Sequence, residues 1–162
     1  MAVFRWASAR TPIWGAGVDI VSGDAGNDDL SGGAGRDCFI AAAGDGDDDI
    51  DGGTGVDTYD ARSHSETITV NLATGIVRAA VPIDRLTGIE DVIDGGLADR
   101  LTGDNFTNRL LGQAGNDTLD GASAMTFCSG ALAMIPSSAV LATTNFMAVM
   151  VTVCCTAAMT LI

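Results

Sequence analysis

The sequence predicts an all-β chain, a parallel solenoid of very short strands, and three observations carry that expectation. Aspartate recurs every nine residues inside a glycine frame, as in 32–40 (GGAGRDCFI) and 52–60 (GGTGVDTYD). A large apolar residue stands two positions after each of these aspartates. Between that apolar residue and the next glycine there is room for only a brief strand.

Length and charge bound the rest. The chain has 162 residues, a formal net charge of −13 and a pI near 4.1, so the expected partner is a cation, with no nucleic acid and no anionic membrane surface. Every charged residue lies at or before Asp120, which separates an Asp/Gly-rich part from an uncharged apolar one. Cys38, Cys128, Cys154 and Cys155 show neither a CxxC nor a disulfide or zinc spacing. Residues 1–13 form a poorly defined N-terminal segment with no uninterrupted apolar stretch suited to a cleaved signal peptide, and the chain is expected to begin in the middle of an array.

The first array, 14–60, reads as nonapeptides at 14–22, 23–31, 32–40, 43–51 and 52–60, with Ala41 and Ala42 inserted. Its sixth positions are Asp19, Asp28, Asp37, Asp48 and Asp57, and its eighth are Val21, Leu30, Phe39, Ile50 and Tyr59. A second array, 94–121, holds repeats at 94–102, 103–111 and 112–120, with Asp99, Asn108 and Asp117 sixth and Leu101, Leu110 and Leu119 eighth. Leu97, Phe106 and Gln113 stand there where glycines are wanted.

The chemistry of this spacing follows from the residue types. Glycines at the first, second and fourth positions let six residues turn tightly with their carbonyls exposed, so Gly26, Gly35, Gly46 and Gly55 become candidate ligands beside the aspartates. Calcium is a hard ion that takes about six to eight oxygens, and stacked turns offering carbonyls and one carboxylate each can fill its shell. The eighth residue then points inward, and each strand pairs with those above and below it. A solvated Asp/Gly linker has no reason to keep the apolar phase.

Residues 14–60 and 94–120 resemble the repeats-in-toxin (RTX), or haemolysin-type, calcium-binding repeats. The resemblance implies a right-handed parallel β-roll with two nonapeptides per turn and several Ca2+ ions held between successive turns on one edge. It pairs Asp19 with Asp37, Asp37 with Asp57 and Asp28 with Asp48, and adds Asp99 and Asp117 from the second array as ligands. The segments 69–75 (TVNLATG) and 86–95 (LTGIEDVIDG) resemble stretches common in such proteins. Also implied are a secreted, extracellular location, export by a one-step, type I-like machinery, and calcium-driven folding after export.

Between the arrays, in the interarray segment 61–93, Ile68, Val70 and Leu72 alternate on one side, Ala73, Thr74 and Gly75 turn the chain, and Ile76 and Val77 return it. A hairpin packed against the roll is expected. His64 reads as a solvated loop residue, and the glycosylation-like triplets at Asn105 and Asn116 as repeat positions.

The tail, 122–162, carries no charge, and 139–162 is long enough for a membrane anchor. Thr143, Thr144 and Asn145 interrupt it, and neither flanking basic residues nor an aromatic belt accompanies it. An out-of-frame repeat accounts for more. With codons shifted back by one base, Met125 with Thr126 and Met134 with Ile135 must read aspartate, in phase with Asp117. Phe127 with Cys128, and Cys154 with Cys155, must then read leucine, in phase with Leu119, although the phase fails across Thr152 and Val153.

No catalytic role is expected, since GxSxG, HExxH and a cysteine with a histidine neighbour are all absent. The alternatives are an adhesion or surface-layer module with protein or polysaccharide partners, and the accessory part of a secreted hydrolase or epimerase.

Overall fold

The computed structural model describes residues 2–5, 15–79, 83–122 and 126–129. Its strands are β1 (Ala2–Arg5), β2 (Ala16–Gly17), β3 (Asp19–Ser22), β4 (Asp29–Ser31), β5 (Ala34–Gly35), β6 (Cys38–Ala42), β7 (Asp49–Asp51), β8 (Thr54–Gly55) and β9 (Thr58–Ser63). The series continues with β10 (Thr69–Asn71), β11 (Ile76–Arg78), β12 (Ile83–Thr87), β13 (Asp91–Ile93), β14 (Arg100–Thr102), β15 (Asn108–Leu111), β16 (Thr118–Asp120) and β17 (Thr126–Ser129). No helix among the described residues is long and apolar enough to cross a membrane.

Successive repeats alternate between two sheets. The first runs β1-β3-β6-β9-β13-β15-β17 with every neighbour parallel, and the second runs β16-β14-β10-β11-β12-β7-β4. A chain that places one strand in each sheet per turn makes a parallel β-roll, as the nine-residue phase predicts. The glycine-bearing turns β2, β5 and β8 stack as a third, narrow ladder along one edge.

The interior is the column of eighth-position residues. Val21 lies opposite Phe39, Phe39 opposite Tyr59, Tyr59 opposite Val92 and Val92 opposite Leu110, while Leu30 meets Ile50, Ile50 meets Leu86, and Val70 meets Leu101, which meets Leu119. All of them are buried in one apolar cluster, because alternation sends every second side chain of a three-residue strand inward. Tyr59 is fully buried and would leave its hydroxyl unsatisfied, but its O–H donates to Asp84 Oδ2 at 2.6 Å.

Two features depart from the sequence reading. The predicted hairpin exists as β10 and β11, paired antiparallel with Val70 opposite Val77, yet it does not lie against the roll. With β12 it forms a meander that is itself part of the second sheet: β12 joins β7 in parallel and β10 joins β14 in parallel. The apolar alternation fixes the hairpin, whereas Arg78 to Asp84 shows no period from which β12 could be anticipated. His64, expected in solvent, is buried, with its N–H bonded to the Ala61 carbonyl at 2.9 Å.

The N-terminal residues add to the first sheet. There β1 adds a strand beside β3, with Phe4 in register with Val21, so the roll extends before the first recognisable nonapeptide. At the other end β17 pairs with β15 and places Cys128 in register with Leu110, the eighth position of a further repeat. The remainder of the tail, with the rest of the shifted-codon reading and the anchor alternative, lies outside the described residues.

Phe39 has no exposed surface and sits mid-column, so Phe39→Ala leaves a void that two flanking strands cannot close. Urea unfolding of the folded chain should show a loss of about 3–5 kcal/mol, while Phe106→Ala, at an exposed turn position, should shift the midpoint little.

Candidate metal centre

Each sixth-position aspartate ends a turn and opens, or immediately precedes, a strand, so its side chain is delivered to the edge where consecutive turns stack. On one edge the N–H of Asp19 donates to Asp37 Oδ1 at 2.9 Å, and that of Asp37 to Asp57 Oδ1 at 2.7 Å. On the other the N–H of Asp28 donates to Asp48 Oδ1 at 2.9 Å, and in the second array that of Asp99 donates to Asp117 Oδ1 at 3.0 Å. Asp19 is thus brought to Asp37, Asp37 to Asp57 and Asp28 to Asp48. The Ala41 and Ala42 insertion is absorbed by a register shift between Ile40 and Ala42, with the Ala42 N–H held by Asp45 Oδ2 at 2.6 Å.

One carboxylate oxygen is therefore fixed by the neighbouring turn. The other is not: Asp37, Asp57, Asp99 and Asp117 each bury an Oδ2 with no hydrogen-bond partner among the described residues, and so does Asp28, whose contact with Asp48 is made through its own N–H. Native interiors rarely tolerate such an atom, and a row of anionic oxygens with no donor fits a bound cation. Among the described residues, the ion pairs of Arg62 with Asp60 and Arg85 with Asp49 use strand residues and not these turn carboxylates.

The glycines shape the space around those oxygens. A Cβ at Gly35 would stand 1.5 Å from the Gly17 carbonyl oxygen, and the residue has φ of +145°, so the two turns approach backbone to backbone. Gly55 stacks on Gly35, and Gly46 on Gly26, in the same manner. At the first position the missing Cβ makes room for the acid: a Cβ at Gly32 would lie 2.5 Å from Asp37 Oδ2.

Acids outside the nonapeptide pattern extend both ladders. Glu90 Oε2 accepts the N–H of Asp57 at 2.8 Å, and Asp84 Oδ1 accepts that of Asp48 at 3.1 Å. Their signal in the sequence is the acid two residues before an inward apolar residue, Asp84 before Leu86 and Glu90 before Val92, stripped of the glycine turn. Asp84 differs from the repeat aspartates because Tyr59 occupies its second oxygen. Asn108, buried at its sixth position, turns its Oδ1 back to the N–H of Asp104 in its own loop at 2.8 Å.

Burial is the first cause of the electrostatic state of these groups. It pushes Asp48 up to about 7, with Asp84, Asp45 and Asp28 adding like charge, and Asp57 up to about 6, with Asp37, Glu90 and Asp51 adding theirs. Asp94 is pushed up to about 8 by burial and then by Asp117 and Asp99. Opposite charge brought by an ion removes this penalty.

Two outcomes follow. Gly35→Ala should prevent the closest turn contact and abolish ordered β structure in circular dichroism, whereas Gly96→Ala, which meets nothing within 4 Å, should leave it intact. The pH response has a definite sign. In the ion-free chain the folded state holds protons on Asp48 and Asp57 that the unfolded chain releases above its ordinary value of 3.8, so stability present in acid is lost as pH rises through about 6 to 7. In chelator, β signal should therefore grow as pH falls from about 8 to about 5, while calcium affinity, which needs the ionised acids, weakens over the same interval. A flat pH profile in chelator contradicts this.

The family model of the RTX calcium-binding nonapeptide repeat matches at residues 15–38, 40–59 and 93–123. Comparison with curated proteins gives no match. The matched residues are those that form the stacked turns and the acid ladders. These segments of the chain carry RTX calcium-binding nonapeptide repeats, and the parallel β-roll they build is a calcium-binding module.

Proposed function

We propose that this module is a calcium-dependent folding and binding unit of an exported protein, disordered where calcium is scarce and ordered outside the cell. The row of buried, partnerless aspartate oxygens carries the reading. Without an ion these like charges face one another across turns that are largely glycine, whose backbone has the most conformational entropy to lose. With calcium the same oxygens become ligands. Asp19, Asp28, Asp37, Asp48 and Asp57 serve the first array, Asp99 and Asp117 the second, and the backbones of Gly26, Gly35, Gly46 and Gly55 complete the turns around the ions.

Extracellular calcium modules bind at about 10⁻⁴ to 10⁻³ M, a range that keeps a secreted roll unfolded before export and folded after it. Export by a one-step, type I-like machinery fits a chain that crosses unfolded. The module itself has no catalytic role in this reading: its acids are consumed by ion ligation and turn stacking, and any reaction belongs to other domains of the parent protein.

A calcium titration of the full chain by circular dichroism, with magnesium as control, tests the reading. β signal should appear cooperatively with calcium alone. Asp37→Ala should weaken the midpoint about tenfold or more because Asp37 faces two neighbouring turns, whereas Asp104→Ala should not, since Asp104 Oδ1 merely accepts the Phe106 N–H within one loop. Full order in excess chelator, or none at millimolar calcium, would sink the proposal.

A further inference from the structure

We propose that Asp94, Asp99 and Asp117 form a calcium site of a second kind, in which an aspartate at a glycine position supplies a third carboxylate, and that this is the tightest cation site of the chain. The inference rests on the calcium-binding reading of the turns and adds a ligand that the nonapeptide pattern does not contain.

Asp94 occupies the first position of its repeat, where the pattern calls for glycine. Its backbone sits in the glycine slot all the same: its N–H donates to the Leu111 carbonyl at 3.0 Å, as Gly32 donates to Asp51 at 2.9 Å and Gly103 to Asp120 at 2.8 Å. In the regular slots a Cβ would run towards the sixth-position side chain, 2.7 Å from Asp28 Oδ2 at Gly23 and 2.8 Å from Asp117 Oδ2 at Gly112. A side chain placed in that slot is therefore delivered to the ligand oxygens, and Asp94 follows this course. One carboxylate oxygen from each of Asp94, Asp99 and Asp117 lies within 4.8 Å of the other two.

The second observation is the state of these oxygens. Asp94 has no exposed surface, and neither of its oxygens has a partner among the described residues; Asp99 Oδ2 and Asp117 Oδ2 are likewise buried and unpartnered. Asp99 and Asp117 keep their first oxygens on the Ile68 and Asp99 N–H groups, at 2.7 and 3.0 Å, so the turn geometry is already satisfied without Asp94. Stacking alone gives this carboxylate no donor. A cation gives it one, and calcium–oxygen distances of about 2.3–2.6 Å span about 4.6–5.2 Å across the ion, which accommodates the observed spread. Affinity in oxygen-ligand sites rises with the number of charged ligands, and three carboxylates converge here where the paired turns of the first array bring two.

Isothermal calorimetry with calcium on the full chain, alongside circular dichroism, tests this with Asp94→Asn, Asp94→Gly and Asp37→Ala. The wild type should show one binding step at least about tenfold tighter than the rest. Asp94→Asn and Asp94→Gly should lose that step into the range of the others while reaching the same β signal at saturation; the glycine variant restores the regular slot and so guards against simple misfolding. Wild-type isotherms for both variants overturn the proposal, as does a gain of order in chelator with an unchanged isotherm, which makes Asp94 a strained acid and no ligand. If Asp37→Ala weakens the calcium response and Asp94→Asn does not, only this inference fails; if the wild type binds no calcium, the module reading fails with it.

Discussion

The structure depends on a division of labour within the turn aspartates Asp37, Asp57, Asp99 and Asp117. One oxygen accepts the backbone N–H of an adjacent turn, which sets the stacking distance and the register. The other is left buried and negative. The first interaction builds the roll and the second penalises it, because every added turn brings another anion up against the last. A cation between turns reverses the sign of that second term without disturbing the first. The fold and its capacity to bind calcium are consequences of the same side chain.

The apolar column is too thin to outweigh this alone. Each repeat contributes one inward residue, and the outward neighbours face solvent or the edge. A globular domain of similar length encloses its core on all sides, whereas here the core is mainly the file of inward side chains that each of the two sheets contributes. The stacked glycines add little burial of their own; they permit the backbone approach seen between Gly17 and Gly35 and otherwise enlarge the entropy of the unfolded chain.

What could be read from the sequence was whatever the nine-residue phase repeats. Val21, Leu30, Phe39, Ile50, Tyr59, Leu101, Leu110 and Leu119 were assigned inward from their spacing, and all are buried. Asp84 and Glu90 escaped because their turns have lost the glycines, although each keeps its acid two residues before an inward side chain. Asp94 escaped as well, since a pattern defined by what fits a slot says nothing of where an ill-fitting side chain points. The β1 strand escaped for the opposite reason: backbone pairing alone adds it to the sheet, and no glycine or acid marks it.

The two sheets treat the junction between arrays differently, and this determines how the arrays are joined. In the first sheet β9, β13 and β15 run on in parallel, carrying the column from Tyr59 through Val92 to Leu110 without a break. In the second sheet the meander reverses one strand, so the acid ladder through Asp28 and Asp48 ends at Asp84, and another begins where Ile68 donates to Asp99. Asp84 closes the first ladder because Tyr59 fills its free oxygen from inside the core. On this edge ions can cross-link turns within an array but have no continuous row of acids from one array to the other. On the other edge the ladder runs on from Asp57 to Glu90, and the arrays are joined there by the parallel pairing of β9, β13 and β15 and by the column from Tyr59 through Val92 to Leu110.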